Sequence, residues 1–211
     1  NETLSFELTQ DRLSELNENF DKLNLFEQHS LIEDALKMGT VLLGVGSIAA
    51  ANIYKKQLGM GGDLESKPLN YLKVNRGYSE ETIIEWEIGY APDAWDTVKE
   101  PLITDGLFNE AKHLGLIREN ESGKRYDFFR SRIMFPIHNE RGELKGFGGR
   151  ILSKEAKPKD KYFNSPESDI YNKSAILYGL HLAKQSIRKN GKAYLVEGYT
   201  DVISMHQAGI K

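Results

Sequence analysis

The stretch YLVEGYTDVISMHQAGIK, residues 194–211, carries two carboxylates, Glu197 and Asp201, on either side of a glycine. The short apolar run before Glu197 reads as a strand, Gly198 as a turn and DVISMHQAGI as a helix. Such a turn can set both acids at the C-terminal edge of an open sheet, where α/β folds hold their ligands. Carboxylates there suit Mg²⁺, which takes few protein ligands and completes its shell with waters and substrate phosphates. Spacing alone also accommodates a surface acid at Glu197 and a simple helix cap at Asp201.

A second set of residues is cationic. Arg130, Arg132, Lys145 and Arg150 cluster around RIMFPIHNERGELKGFGGRIL, and Lys154, Lys157, Lys159 and Lys161 follow, interleaved with Tyr162 and Phe163. Basic residues beside aromatic rings suit single-stranded nucleic acid, whose backbone is anionic and whose bases stack; a solvated loop is the plainer alternative. Two glycine patterns invite a phosphate-binding reading. GFGGR, residues 146–150, lacks the Lys-Ser/Thr ending of a P-loop and lies within a strand-like run, so a bulged or closely approached strand is expected. Gly44, Gly46 and Ala49 match G-x-G-x-x-A, yet no β-rich run ending in an acid follows at the required distance. A buried helix using small residues for close packing explains them better.

Charge is distributed unevenly. The net charge is -3, but residues 1–110 contribute -11 and residues 111–211 contribute +8. A basic half on an acidic chain fits a polyanionic partner, and two solvated faces of opposite sign fit it as well. The chain has no cysteine, which excludes a disulfide framework or a thiolate zinc site within these residues. The opening residues NETLSFELTQDRL are acidic and lack an apolar core, so no secretory signal is expected there. The apolar run at 38–53 falls short of the roughly 20 residues a membrane crossing needs, so no membrane partner and a cytoplasmic setting are expected.

The elements that must position these groups follow from periodicity. Leu13, Leu16, Phe20, Leu23, Phe26, Leu31 and Leu36 recur at helical intervals, and residues 40–58 form an alanine-rich run closed by Gly59. PLNYLKVNRG reads as a short helix ended by Gly77. SEETIIEWEIG reads as another, capped by Ser79 and ended by Gly89. Beyond residue 125 two β-rich runs joined by NERG form a hairpin. Residues 153–169 read as an exposed loop, and SAILYGLHLAKQSIRKN as a helix.

Three blocks taken together, YDFFRSRIMFPIHNERGELKGFGGRIL, KYFNSPESDIYNKSAILYGLHLAK and YLVEGYTDVISMHQAGI, resemble the RNA-polymerase domain of bacterial DnaG-type DNA primases in the family's order. A weaker likeness reaches back through NYLKVNRGYSEETIIEWEIGYAPDAWD. The resemblance implies an α+β fold: a helix-rich acidic region over 1–125, a basic strand-rich subdomain with a C-terminal helix over 126–190, and over 191–211 the first strand and helix of a Toprim-type α/β module. It implies synthesis of short RNA primers from ribonucleoside triphosphates on single-stranded DNA template during replication, with Mg²⁺ or Mn²⁺ as cofactor and a replicative helicase as partner through other regions. By the same resemblance, Glu197 is catalytic and a metal ligand and Asp201 a second metal ligand. Arg130, Arg132, Arg150, Lys161 and Lys173 match positions along a template or nucleotide surface.

The family pattern also contains parts that these residues lack: a cysteine-rich zinc module, the DxD acids of later Toprim strands and a helicase-binding region. The expectation is a fragment of a longer catalytic core that does not synthesise primers by itself. A single-stranded DNA-binding module without catalysis, or a piece of another Toprim enzyme, is the alternative.

Overall fold

The structure is a computed structural model that describes residues 25–60, 67–152, 157 and 160–211. The chain divides into two units, residues 1–43 and 44–211; the expected sites lie in the second. Helix α1 spans Leu25–Met60, so the small-residue run is helical to one position past Gly59. The apolar periodicity before residue 25 lies outside the described residues. Gly44, Gly46 and Ala49 sit inside this helix rather than on a strand-to-helix turn, which removes the geometry a dinucleotide fingerprint requires. Gly46 serves packing: a Cβ there would meet Leu114 Cδ1 at 3.3 Å.

Helix α2, Lys67–Asn70, continues as a π-turn over Tyr71–Asn75. Helix α3, Glu80–Glu85, begins as the sequence predicts, with the Ser79 hydroxyl accepting from the Thr82 amide at 3.2 Å. Gly89 does not end it. The helix stops at Glu85, Glu87 turns the chain at φ 50°, and Gly89 opens strand β1, Gly89–Ala91. Glycine is required there because a Cβ would stand 2.6 Å from the Tyr54 Cβ of α1. Helices α4 (Lys99–Thr104) and α5 (Phe108–His113) lead to a two-stranded antiparallel ribbon of β2 (Ile117–Glu119) and β3 (Arg125–Asp127). The buried Asp127 carboxylate accepts from the Val98 and Lys99 amides at 2.9 and 2.8 Å, capping α4 from the ribbon.

The predicted hairpin is present as β4, Arg132–His138, and β5, Leu144–Ile151. Its NERG turn is held by the Asn139 side chain, which accepts from the Arg141 and Glu143 amides. The main sheet runs β1-β4-β5-β6, antiparallel throughout, with β6 at Tyr162–Asn164. Residues 162–164 therefore correct the expected loop: Tyr162 and Phe163 point to opposite sheet faces, and both have rings to pack on. The last helices are α6, Leu180–Asn190, and α7, Tyr199–Gln207. Residues 174–179 are not the first turns of α6, because Gly179 adopts φ 80° and interrupts the helix, with Trp86 and Val202 pressed against it.

The architecture is mixed α+β. Cross-strand partners share a face, so Ile133, Phe135, Gly148, Arg150, Tyr162 and Asn164 form one side of the sheet and Arg132, Met134, Phe147, Gly149 and Phe163 the other. Leu72, Tyr78, Ile83, Trp86, Ile88 and Ile203 cover the first side together with Ile133 and Phe135. The run before Glu197 is not a strand. Tyr194 and Leu195 are 63% and 87% exposed, and no described strand lies beside them to complete a ladder. Without a hydrogen-bonded neighbour, apolar alternation does not make a strand. Among the described residues no helix is long and apolar enough to cross a membrane.

Candidate nucleic-acid interface and carboxylate edge

Arg150 extends from β5 over two tyrosine rings, 4.4 Å from the Tyr71 centroid and 5.9 Å from that of Tyr162. Arg76 approaches Tyr71 as well, with its guanidinium 5.3 Å from the same centroid and its Nε donating to the phenol oxygen. Burial raises the Tyr71 phenol pKa, while the two cations oppose that rise. Among the described residues neither guanidinium has a carboxylate partner in an ion pair, and Arg150 Nε is buried with no acceptor. Unpaired guanidinium donors beside ring faces are suited to phosphate oxygens and stacked bases. Lys161 is exposed immediately before β6, where its carbonyl accepts from the Ile151 amide, so strand alternation sends its side chain to the face opposite Tyr162 and Arg150.

The other cations lie elsewhere. Arg132 is 4% exposed and donates to the Gly149 and Asp160 carbonyls, both at 3.1 Å, with its guanidinium 3.8 Å from the Phe163 centroid. It occupies the interior, on the sheet face opposite Arg150. Arg130 stacks 4.0 Å from the Trp95 centroid and donates to the Asp127 carbonyl. Lys173 is exposed in a 3₁₀ turn, Lys173–Ala175, where its amide donates to Glu167. Lys145 is paired with Glu143 at 3.0 Å. Of the expected cations only Arg150 thus flanks this aromatic patch. Arg76 and Tyr71, which complete it, escape a reading by local spacing because they stand more than 70 residues before Arg150.

Glu197 is exposed in a bend just before Gly198, the N-cap of α7. Asp201 is exposed in the first helical turn, where the helix dipole favours a carboxylate. Its Oδ2 folds back to within 2.9 Å of where a Gly198 Cβ would stand. The two acids thus flank Gly198, where the chain enters α7. As hard oxygen donors they fit Mg²⁺ or Mn²⁺ chemically. Among the described residues no group of three or more acids and histidines converges on a metal position. Helix α7 is fixed from behind: the Tyr78 hydroxyl donates to the Thr200 carbonyl at 3.0 Å, and Gln207 bridges the Gly77 carbonyl and the Ser79 amide.

Residues 53–184 match the family described as DNA primase catalytic core, N-terminal domain. The DNA primase of Deinococcus radiodurans is 46% identical over 148 residues, covering 69% of this chain and 25% of the relative. That of Geobacillus stearothermophilus is 49% identical over 143 residues, covering 67% and 23%. The RNA polymerase domain of Mycobacterium tuberculosis primase DnaG, solved with a double-stranded DNA oligomer bearing a 6-nucleotide overhang, superposes with a TM-score of 0.71 at 34% identity, covering 81% of this chain and 52% of that one. A DnaG primase catalytic domain bound to single-stranded DNA superposes with a TM-score of 0.69 at 35% identity, covering 82% and 55%. The chain spans about a quarter of these curated relatives and about half of these solved chains. With the family match extending over most of its length and the fold in agreement, the chain belongs to the DnaG-type DNA primases.

Proposed function

We propose that this chain supplies the template-holding part of a DNA primase catalytic core and the first acid of its Toprim metal site. In this reading a single DNA strand lies across Arg76, Arg150, Tyr71 and Tyr162, with phosphates on the cations and bases against the rings, and Lys161 adds charge from the neighbouring edge of the sheet. The observation that carries it is the convergence on Tyr71 of two guanidiniums that, among the described residues, are in no ion pair with a carboxylate. Arg130 and Lys173 extend the contact electrostatically. Arg132 acts from the interior by tying β5 to residue 160, beside Lys161.

Glu197 and Asp201 would hold Mg²⁺ or Mn²⁺ together with acids from other strands. A bound ion would neutralise charge on the phosphates of an incoming ribonucleoside triphosphate. The chain's own contribution is to orient the carboxylates, through Gly198 and the start of α7, and to keep the template nearby. The products would be short RNA primers, and a replicative helicase would engage regions outside these residues. The test is template-dependent RNA synthesis by the complete protein, wild type against Glu197→Gln. Loss of synthesis with single-stranded DNA affinity retained supports the reading; undiminished synthesis in the variant overturns it.

A further inference from the structure

Tyr199 stands between the cationic face and the carboxylates. It is the residue after Gly198, and its ring lies flat against β5: a Cβ on Gly148 would be 2.5 Å from its Cε2. The ring stacks on Phe135 at 5.8 Å and 19°, meets Tyr178 edge-on at 4.6 Å and reaches Tyr162 at 6.2 Å. Its hydroxyl donates to Asn164 Oδ1 at 2.8 Å, which ties it to β6. Gly148 and Asn164 are cross-strand partners on the same sheet face as Arg150 and Tyr162. The other polar contacts of α7, at Thr200, His206 and Gln207, go to residues 77–79 and to Glu85 and not to β5 or β6.

From this arrangement we infer that Tyr199 is a positioning residue that sets the distance between the Glu197/Asp201 edge and the template face of β5 and β6. The inference rests on the primase reading above. Tyr199 itself contacts neither metal nor phosphate; it acts through Glu197, two residues before it, and Asp201, two residues after it. Gly148 is the matching half of the device, since only the absence of a side chain lets the ring seat against the strand. A template held by Arg150 and Tyr162 is thereby registered against carboxylates that belong to another element. Register of this kind matters because displacement of reacting groups by about 1 Å can cost on the order of 100-fold in rate.

The chain has no native cysteine, so spin labels can be placed singly. Labels at Asp201→Cys and Arg141→Cys report the separation of α7 from the turn that ends β4. The expected result is one narrow distance distribution in the otherwise native chain, retained in Tyr199→Phe because the ring seat remains. It should shift in Gly148→Ala, where Tyr199 is intact but displaced, and broaden in Tyr199→Ala. Without labels, Gly148→Ala should bind single-stranded DNA within about twofold of wild type, while the complete protein carrying it loses about tenfold in kcat with little change in nucleotide KM. Unchanged distances in Gly148→Ala and Tyr199→Ala would overturn the inference, as would kcat unchanged in Gly148→Ala. Thermal unfolding of each variant separates displacement from loss of fold. If the wild-type complete protein makes no template-dependent RNA, the primase reading fails, and the distance measurement still judges the positioning role.

Discussion

Arg76 and Arg150 share one ring. Their guanidiniums lie 5.3 and 4.4 Å from the Tyr71 centroid although the residues come from a loop after the π-turn and from the third strand of the sheet. Tyr71 thus controls two cations at once. Tyr71→Phe keeps both ring contacts and removes the acceptor for Arg76 Nε. It should weaken single-stranded DNA binding by about fivefold, the scale of one hydrogen bond at roughly 1 kcal/mol. Tyr71→Ala releases both guanidiniums and should cost more than about tenfold. Fluorescence anisotropy with a labelled oligonucleotide measures both.

Arg132 separates structural from electrostatic roles. Its removal takes a donor from the carbonyls of Gly149 and Asp160 and strips a cation from Phe163. Arg132→Met keeps the bulk and loses the donors, and should destabilise the fold by about 2 kcal/mol in denaturant titration. The salt dependence of DNA binding, measured on the folded fraction, should stay as in wild type.

A histidine cluster predicts the acid limb of stability. His138 and His181 stand 4.8 Å apart, and His138 Nε2 lies 3.1 Å from Glu87, whose other oxygen is paired with Lys55 at 2.9 Å. Burial lowers the His181 pKa to about 4, with His138 and Lys184 adding to the effect. Burial likewise lowers that of His138 against the opposing Glu87 carboxylate. Glu87 is pushed up by burial, yet Lys55 and His138 outweigh this and hold it below the ordinary range. A depressed histidine pKa means the unfolded chain binds the proton more readily. The contribution of His181 is therefore complete above pH 6.5 and is lost as pH falls through about 4. His181→Asn should flatten the decline of the unfolding midpoint across that window, as seen by circular dichroism at stepped pH.

Gly89 should tolerate no side chain. The nearest atoms to an added Cβ are Tyr54 Cβ at 2.6 Å and the Tyr54 carbonyl carbon at 2.8 Å, and the latter is backbone that cannot swing away. Gly89→Ala should cost about 1–3 kcal/mol through strain between α1 and β1. Gly123→Ala also costs stability, since Gly123 adopts φ 77°, but it meets no neighbouring atom within 4 Å. The two variants, compared by thermal unfolding, should differ in the direction of a larger loss at Gly89.

The hairpin was legible in the sequence because NERG and two alternating apolar runs are local signals, as was the Ser79 cap. Gly89 was misread as a helix terminator because its reason for being glycine is Tyr54, which stands 35 residues before it. The interruption at Gly179 hides inside a good helical pattern for the same kind of reason: Trp86 and Val202 are tertiary neighbours. The acids Glu197 and Asp201 could be picked out by type and spacing, but the strand expected before them depends on a neighbour that spacing does not reveal. Among the cations, composition could not tell Arg132, which turns inward, from Arg150, which flanks an aromatic surface. Strand parity decides that, and parity follows from register.

The central claim is that Arg76 and Arg150 form a phosphate-binding face around Tyr71. Titration of a labelled single-stranded oligonucleotide with this chain at several salt concentrations tests it most directly. Each phosphate contact should add about 0.7 to the magnitude of the slope of log affinity against log salt on a single strand. Arg76→Glu combined with Arg150→Glu should flatten that slope and lower affinity at low salt by at least about tenfold, while Glu197→Gln leaves both unchanged. A wild-type slope near zero, or a double variant that keeps the wild-type slope, would contradict the account.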